Sequence, residues 1–151
     1  MKERKQSMKK VICLIAIALM IASVAFAAGK MKFTAKDLPG LKGTWEGVVS
    51  FGEFEAGGTS PMKLEILNDA APLKAKGTIT NIPQQIAGQF SVPSGQNVFE
   101  NDGGVLTSQG TIFWSSPQGT GFFEISKGEN KIHFWYFFKG IKGDATLKKK
   151  K

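Results

Sequence analysis

Residue types that usually carry chemistry are nearly missing from this chain. It has one cysteine (Cys13), one histidine (His133), one tyrosine (Tyr136) and one arginine (Arg4), and two of these precede residue 14. With no cysteine after Cys13, disulfides cannot staple the folded part, which therefore needs a proper hydrophobic core. With no arginine after Arg4, bidentate phosphate and guanine contacts are unavailable, and nucleic acid is not an expected partner. A single histidine inside the aromatic run 132–138 reads as a surface or packed residue rather than a general base. No serine occupies a nucleophile elbow. Glu53 and Glu55 could share a strand face, but beside Gly57-Gly58 they read as solvated carboxylates. Convergent metal ligands at useful spacing are missing too. The expectation is a non-catalytic protein with no metal and no cofactor.

The N-terminus, by contrast, is strongly patterned. Lys2, Arg4, Lys5, Lys9 and Lys10 precede an apolar run from Val11 to Phe26, and Ala25-Phe26-Ala27 has the small-residue spacing of a cleavage site. This reads as a secretory signal peptide over residues 1–27, with the membrane engaged only before cleavage. The expected location is periplasmic or secreted. Beyond the leader, fifteen lysines face eleven acidic residues, a net charge of +4 against +8 for the whole chain. Residues 28–40 form a lead-in, 41–148 a single domain, and 149–151 a basic tail that continues the lysine run begun at Lys148.

Helical periodicity is scarce after the leader, while period-two alternation is widespread. Trp45, Gly47, Val49 and Phe51 share one face of a segment whose other face is Thr44, Glu46, Val48 and Ser50. Met62, Leu64 and Ile66 alternate with Lys63 and Glu65, and Ile141, Gly143, Ala145 and Leu147 alternate with Lys142, Asp144, Thr146 and Lys148. Each pattern is a strand with one buried and one wet face, as in antiparallel sheet. About eight strands are expected, near 43–52, 60–68, 73–82, 86–92 or 96–100, 104–115, 119–126, 130–138 and 141–148. Turn signals separate them, among them Asn101-Asp102-Gly103-Gly104 and Lys139-Gly140. No long helix is available to cover one face of an open sheet, so the sheet should close on itself. The predicted fold is all-β: an antiparallel up-and-down meander closed into a small barrel, with a two-sheet β-sandwich as the alternative. Gly43, Gly77, Gly110 and Gly143 recur at intervals of 33 or 34 residues and read as bend points in the barrel wall.

Gly43-Thr44-Trp45 on the first strand resembles the G-x-W signature of lipocalin-type (calycin) barrels. That resemblance implies a tryptophan plugging one end of the barrel, a short turn or helix over Phe33–Leu38 leading into the floor, and a cavity for a small apolar ligand. It also implies an arginine stacked on the tryptophan; none is present after the leader, and Lys142 or Lys148 is the nearest substitute.

Alternation also sorts the aromatic residues between Ile112 and Phe138. With Lys131 and Glu124 outside, Phe123, Phe134, Tyr136 and Phe138 face inward together with Trp114, while Phe113, Phe122, Trp135 and Phe137 face outward. Trp45, Phe51, Leu64, Trp114, Phe123, Phe134, Tyr136 and Phe138 are therefore the expected lining of a pocket for a small apolar or aromatic molecule, with Met62 beside them. Phe113, Phe122, Trp135 and Phe137 form an outer patch that should be covered. It could serve a protein partner or a homo-oligomer, lie under the Met31–Leu41 segment, or belong to a wide pocket. Two functions follow: a barrel that binds a ligand in its interior, or a solidly packed interaction module using the outer patch.

Overall fold

The structure, a computed structural model, describes residues 31–52, 57–90, 95–116 and 121–151. The expected signal peptide lies outside these residues, as do Glu53 and Glu55. The strands are β1 (Gly43–Phe51), β2 (Thr59–Ile66), β3 (Leu73–Ile79), β4 (Asn97–Leu106), β5 (Ile112–Ser115), β6 (Gly121–Gly128), β7 (Lys131–Phe138) and β8 (Ile141–Lys149). Every neighbour in sequence is a neighbour in space, all pairs are antiparallel, and β8 returns to β1, which closes the barrel. This is the up-and-down barrel rather than the sandwich. Closure follows from the one-sided burial of the strands: in β8 buried and exposed residues alternate from Ile141 to Leu147, and the inner faces have only one another to pack against.

Several assignments made from sequence change. Of the two places expected for the fourth strand, 96–100 falls in β4, and Gln84–Phe90 is a short helix, α2, opened by Pro83, whose carbonyl accepts from the amides of Ile86 and Ala87 at 2.9 Å each. It follows a first one-turn helix, α1 (Leu38–Leu41). Gln84, Gln85 and Ala87 favour helix, and Ile82 and Ile86, one turn apart, both bury. The expected strand 104–115 is in fact the end of β4, a turn through Thr107–Gly110 and β5. Gly110 thus sits at positive φ (78°) in a turn instead of bending the wall. Asn101–Gly104, read as a turn, lies within β4 and forms a bulge: Leu73 pairs with Gly104 and Ala75 with Asn101, so Lys74 opposes both Asp102 and Gly103.

The two ends of the barrel differ. At the end where β1 begins, Phe33, Leu38 and Leu41 enter the buried core, and the Trp45 indole N–H donates to the Leu41 carbonyl at 2.8 Å. Lys149 lies over the Trp45 ring, 5.7 Å from its centroid, and donates to the Gly40 carbonyl at 2.7 Å. The cation on the tryptophan is therefore Lys149, not Lys142 or Lys148, because Trp45 pairs directly with Lys149 across the β1–β8 ladder. Residues 31–41 close this end; they are not the lid of the outer aromatic patch.

Asp37 anchors the closing segment. It accepts from the Lys127 ammonium at 2.5 Å and from the Thr34 amide and hydroxyl at 2.7 and 2.8 Å. These contacts, the lysine first, hold its carboxyl down at about 2. A carboxyl with a depressed folded-state pKa stabilises the fold above its ordinary pKa and loses that contribution as pH falls through the depressed one. Acid should therefore weaken the native protein between about pH 4 and pH 2. An Asp37→Asn variant should show a flatter stability profile across that window in urea denaturation; an unchanged profile would remove Asp37 from the account.

Candidate functional site

At the opposite end the wall is incomplete. β4 and β5 pair only at Val105↔Phe113 and Leu106↔Ile112. Side chains replace the ladder above that point. The Asn101 amide bridges to the Ser115 carbonyl, while its own carbonyl oxygen receives the Gly103 amide at 2.9 Å within the bulge. Trp114, fully buried, lies across Gly104 and donates its indole N–H to the Leu73 carbonyl at 3.0 Å, two strands away. Gly104 has to be glycine for this, since a Cβ there would stand 2.3 Å from the indole ring.

Above these two clamps is a cavity of about 330 Å³, at the small end of the ~300–1,000 Å³ typical of small-molecule sites. Phe99, Phe123, Phe134 and Tyr136 form its floor, with Ile79 and Phe138 beside them and Asn97, Asn101 and Ser116 supplying polar groups at the rim. The rings hold one another in edge and tilted contacts: Phe99–Phe123 at 5.3 Å, Phe123–Phe134 at 5.6 Å and Phe134–Tyr136 at 5.9 Å. Trp114 stacks flat beneath Phe123 at 4.7 Å. Such pairs fix ring positions by quadrupole geometry as well as by burial. Burial pushes the Tyr136 phenol well above its ordinary value, so it stays a neutral hydroxyl throughout the physiological range. At the mouth, Lys139 stands 5.5 Å over the Phe138 ring, and Glu100 pairs with Lys76 at 3.0 Å. That carboxylate holds the Lys76 ammonium above its usual value.

The chain matches no family model and no curated protein. Of the eight residues expected to line a pocket, Phe123, Phe134, Tyr136 and Phe138 do so. Phe51 is buried behind them with its ring 6.4 Å from Tyr136, Leu64 and Trp114 are core, and Trp45 belongs to the closed end. Phe99, missed by the sequence reading, lies at the centre of the floor.

The outer set falls on the outer face. Phe113, Phe122, Trp135 and Phe137 form one run of rings, with Phe122 5.4 Å from Phe113, 5.1 Å from Trp135 and 6.1 Å from Phe137. Phe122 and Phe137 also border the cavity, so the apolar surface continues from the inside of the barrel to the outside.

Groups that could suggest catalysis are dispersed. His133 is on the outer surface, 3.3 Å from the Thr146 hydroxyl. Ser60 and Lys63 have the serine–lysine spacing of acyl-transfer enzymes, yet three residues along a strand put them on opposite faces. Ser60 is buried and bonds the Asn81 carbonyl, and Lys63 pairs outside with Glu65. Among the described residues no group of three or more His, Cys, Asp or Glu is placed to hold a metal ion.

Proposed function

We propose that this is an exported, non-catalytic barrel that holds a small apolar or aromatic molecule in the open end of its interior. The observation that carries the reading is the aromatic-floored cavity beside the β4–β5 split, facing away from an end sealed by Trp45. Ring edges and faces suit a flat apolar ligand, and the polar groups of the rim suit a single polar end group. The tryptophan plug capped by a last-strand cation supports the likeness to lipocalin-type barrels.

The test is uptake of the neutral fluorophore N-phenyl-1-naphthylamine. Saturable one-to-one binding is expected, and Tyr136→Ala should weaken it by about tenfold, the worth of one ring contact. A parent protein that shows no saturable emission gain ends the proposal. Binding that Tyr136→Ala leaves untouched puts the fluorophore elsewhere.

A further inference from the structure

The cavity borders more than side chains. Asn97, Val98, Phe99, Glu100 and Asn101 all line it, five residues in succession. Side chains alternate between the two faces of a strand, so an unbroken run can face one space only if the backbone edge itself does. On the opposite wall Phe122 and Phe137 border it from the outer face, and Phe123 and Phe138 from the inner face. The space therefore passes through the barrel wall, alongside the edge of β4.

Among the described residues that edge has no strand partner. On one side Asn97, Val98, Phe99 and Glu100 pair with Ile79, Thr78, Gly77 and Lys76 of β3. On the other side, among the described residues, no strand pairs with them, since β5 meets β4 only at Val105 and Leu106. Proteins usually blunt such an edge with lysine, proline, a bulge or a cover. Here Asn97–Asn101 contains neither lysine nor proline, Val98 is 49% exposed, and the bulge lies below at Asp102–Gly103.

We infer that an extended segment of another polypeptide adds to the upper edge of β4 and places one large apolar side chain in the cavity. The inference rests on the cavity reading above and names the class of occupant. A free small molecule could fill the ring-lined floor. It could not meet backbone donors and acceptors that face this side at every second residue, ~6.6 Å apart, whereas a peptide meets both, through main-chain bonds and an alternate-residue pocket. Asn101, bonded across to Ser115, stops the slot from below, leaving Asn97–Glu100 as the pairing stretch, about 13 Å long. The guest's inward side chain lies among Phe99, Phe123 and Phe134, and its outward neighbours lie against Val98 and Phe122. The outer ring patch and the inner cavity thus become two halves of one recognition surface.

The test uses the full-length protein and a fluorescein-labelled Thr-Val-Phe-Thr-Val peptide, acetylated and amidated, followed by anisotropy. Two analogues carry N-methyl groups on its second and fourth, or its first, third and fifth, amides. Alternate amides of a strand point to opposite sides, so one analogue should bind at least about tenfold more weakly than the parent peptide and the other within about twofold of it. The parent peptide should also displace N-phenyl-1-naphthylamine. Equal binding by both analogues and the parent peptide overturns the strand-addition proposal, as does a concentration-dependent dimer that uses the edge and excludes the peptide. Fluorophore uptake without peptide binding sinks the inference and leaves the cavity reading standing; absence of both ends the two together.

Discussion

Trp114→Ala is expected to lower the unfolding free energy by about 4 kcal/mol, a large share of the ~5–15 kcal/mol of an ordinary domain. Two losses combine. A fully buried indole leaves a large void beneath Phe123, which it stacks at 4.7 Å. The Leu73 carbonyl also loses its donor at a buried position beside the bulge, at a further cost of ~1–3 kcal/mol for an unsatisfied polar group, partly shared with the first. The site is not an ordinary core position, because Trp114 ties β5 to β3 across Gly104 where the β4–β5 ladder has run out. Trp114→Phe separates the two effects, keeping most of the ring and dropping the hydrogen bond; a loss of ~1–3 kcal/mol is expected. Urea denaturation monitored by circular dichroism measures both. A cost below ~1 kcal/mol for the alanine variant would show that the split is held by something other than the indole.

Gly77→Ala should weaken both binding and stability. Gly77 pairs with Phe99, whose ring lies on the bare backbone of β3, and a Cβ at Gly77 would stand 1.9 Å from the ring tip. The ring has to leave, and the open space available to it is the cavity. We expect ~1–3 kcal/mol of destabilisation from the forced rearrangement, together with a loss of fluorophore affinity of at least about tenfold. Gly88→Ala is the control: nothing lies within 4 Å of its Cβ position on α2, so it should be neutral or slightly stabilising. Unchanged affinity in a destabilised Gly77→Ala protein would mean that Phe99 moves away from the cavity.

Gly77 with Phe99, Gly104 with Trp114 and Gly143 with Tyr136 repeat one device, an aromatic ring laid over a glycine on the neighbouring strand. It explains why a barrel so rich in large rings still keeps a cavity at one end: rings packed on glycine take up space that a side chain would have filled, and leave the middle partly open.

Much of this architecture was legible in the sequence. Strands β1, β2, β7 and β8 alternate cleanly, so the inward positions of Trp45, Leu64, Phe134 and Tyr136 followed from period two, and charged Glu124 and Lys131 fixed the phase for the aromatic region. β4 was not legible. Its inward residues are Phe99 and Asn101 before the bulge and Gly104 and Leu106 after it. One extra residue moves the phase by one, so the pattern breaks into two fragments, and the Asn-Asp-Gly-Gly of the bulge has the composition of a turn. Phe99 was lost from the expected lining for that reason. Lys149 was missed because its position over Trp45 depends on the β1–β8 register, a pairing between the first and last strands that local pattern does not encode. The glycine–aromatic pairs are hidden in the same way, except at Tyr136 and Gly143, which a tight hairpin brings together.

The register of β1 with β8 carries one more consequence. That ladder runs unbroken from Trp45↔Lys149 to Phe51↔Gly143, and the Lys150 amide adds a bond to the Thr44 carbonyl at 2.8 Å. The pair of strands with no covalent link is thus fully hydrogen-bonded, while the most weakly bonded pair, β4 and β5, is joined by a tight turn through Thr107–Gly110. Peptide bonds and hydrogen bonds complement each other around the circumference, each present where the other is short. In a ring built this way the cyclic order of the strands defines the object, and no strand is intrinsically first.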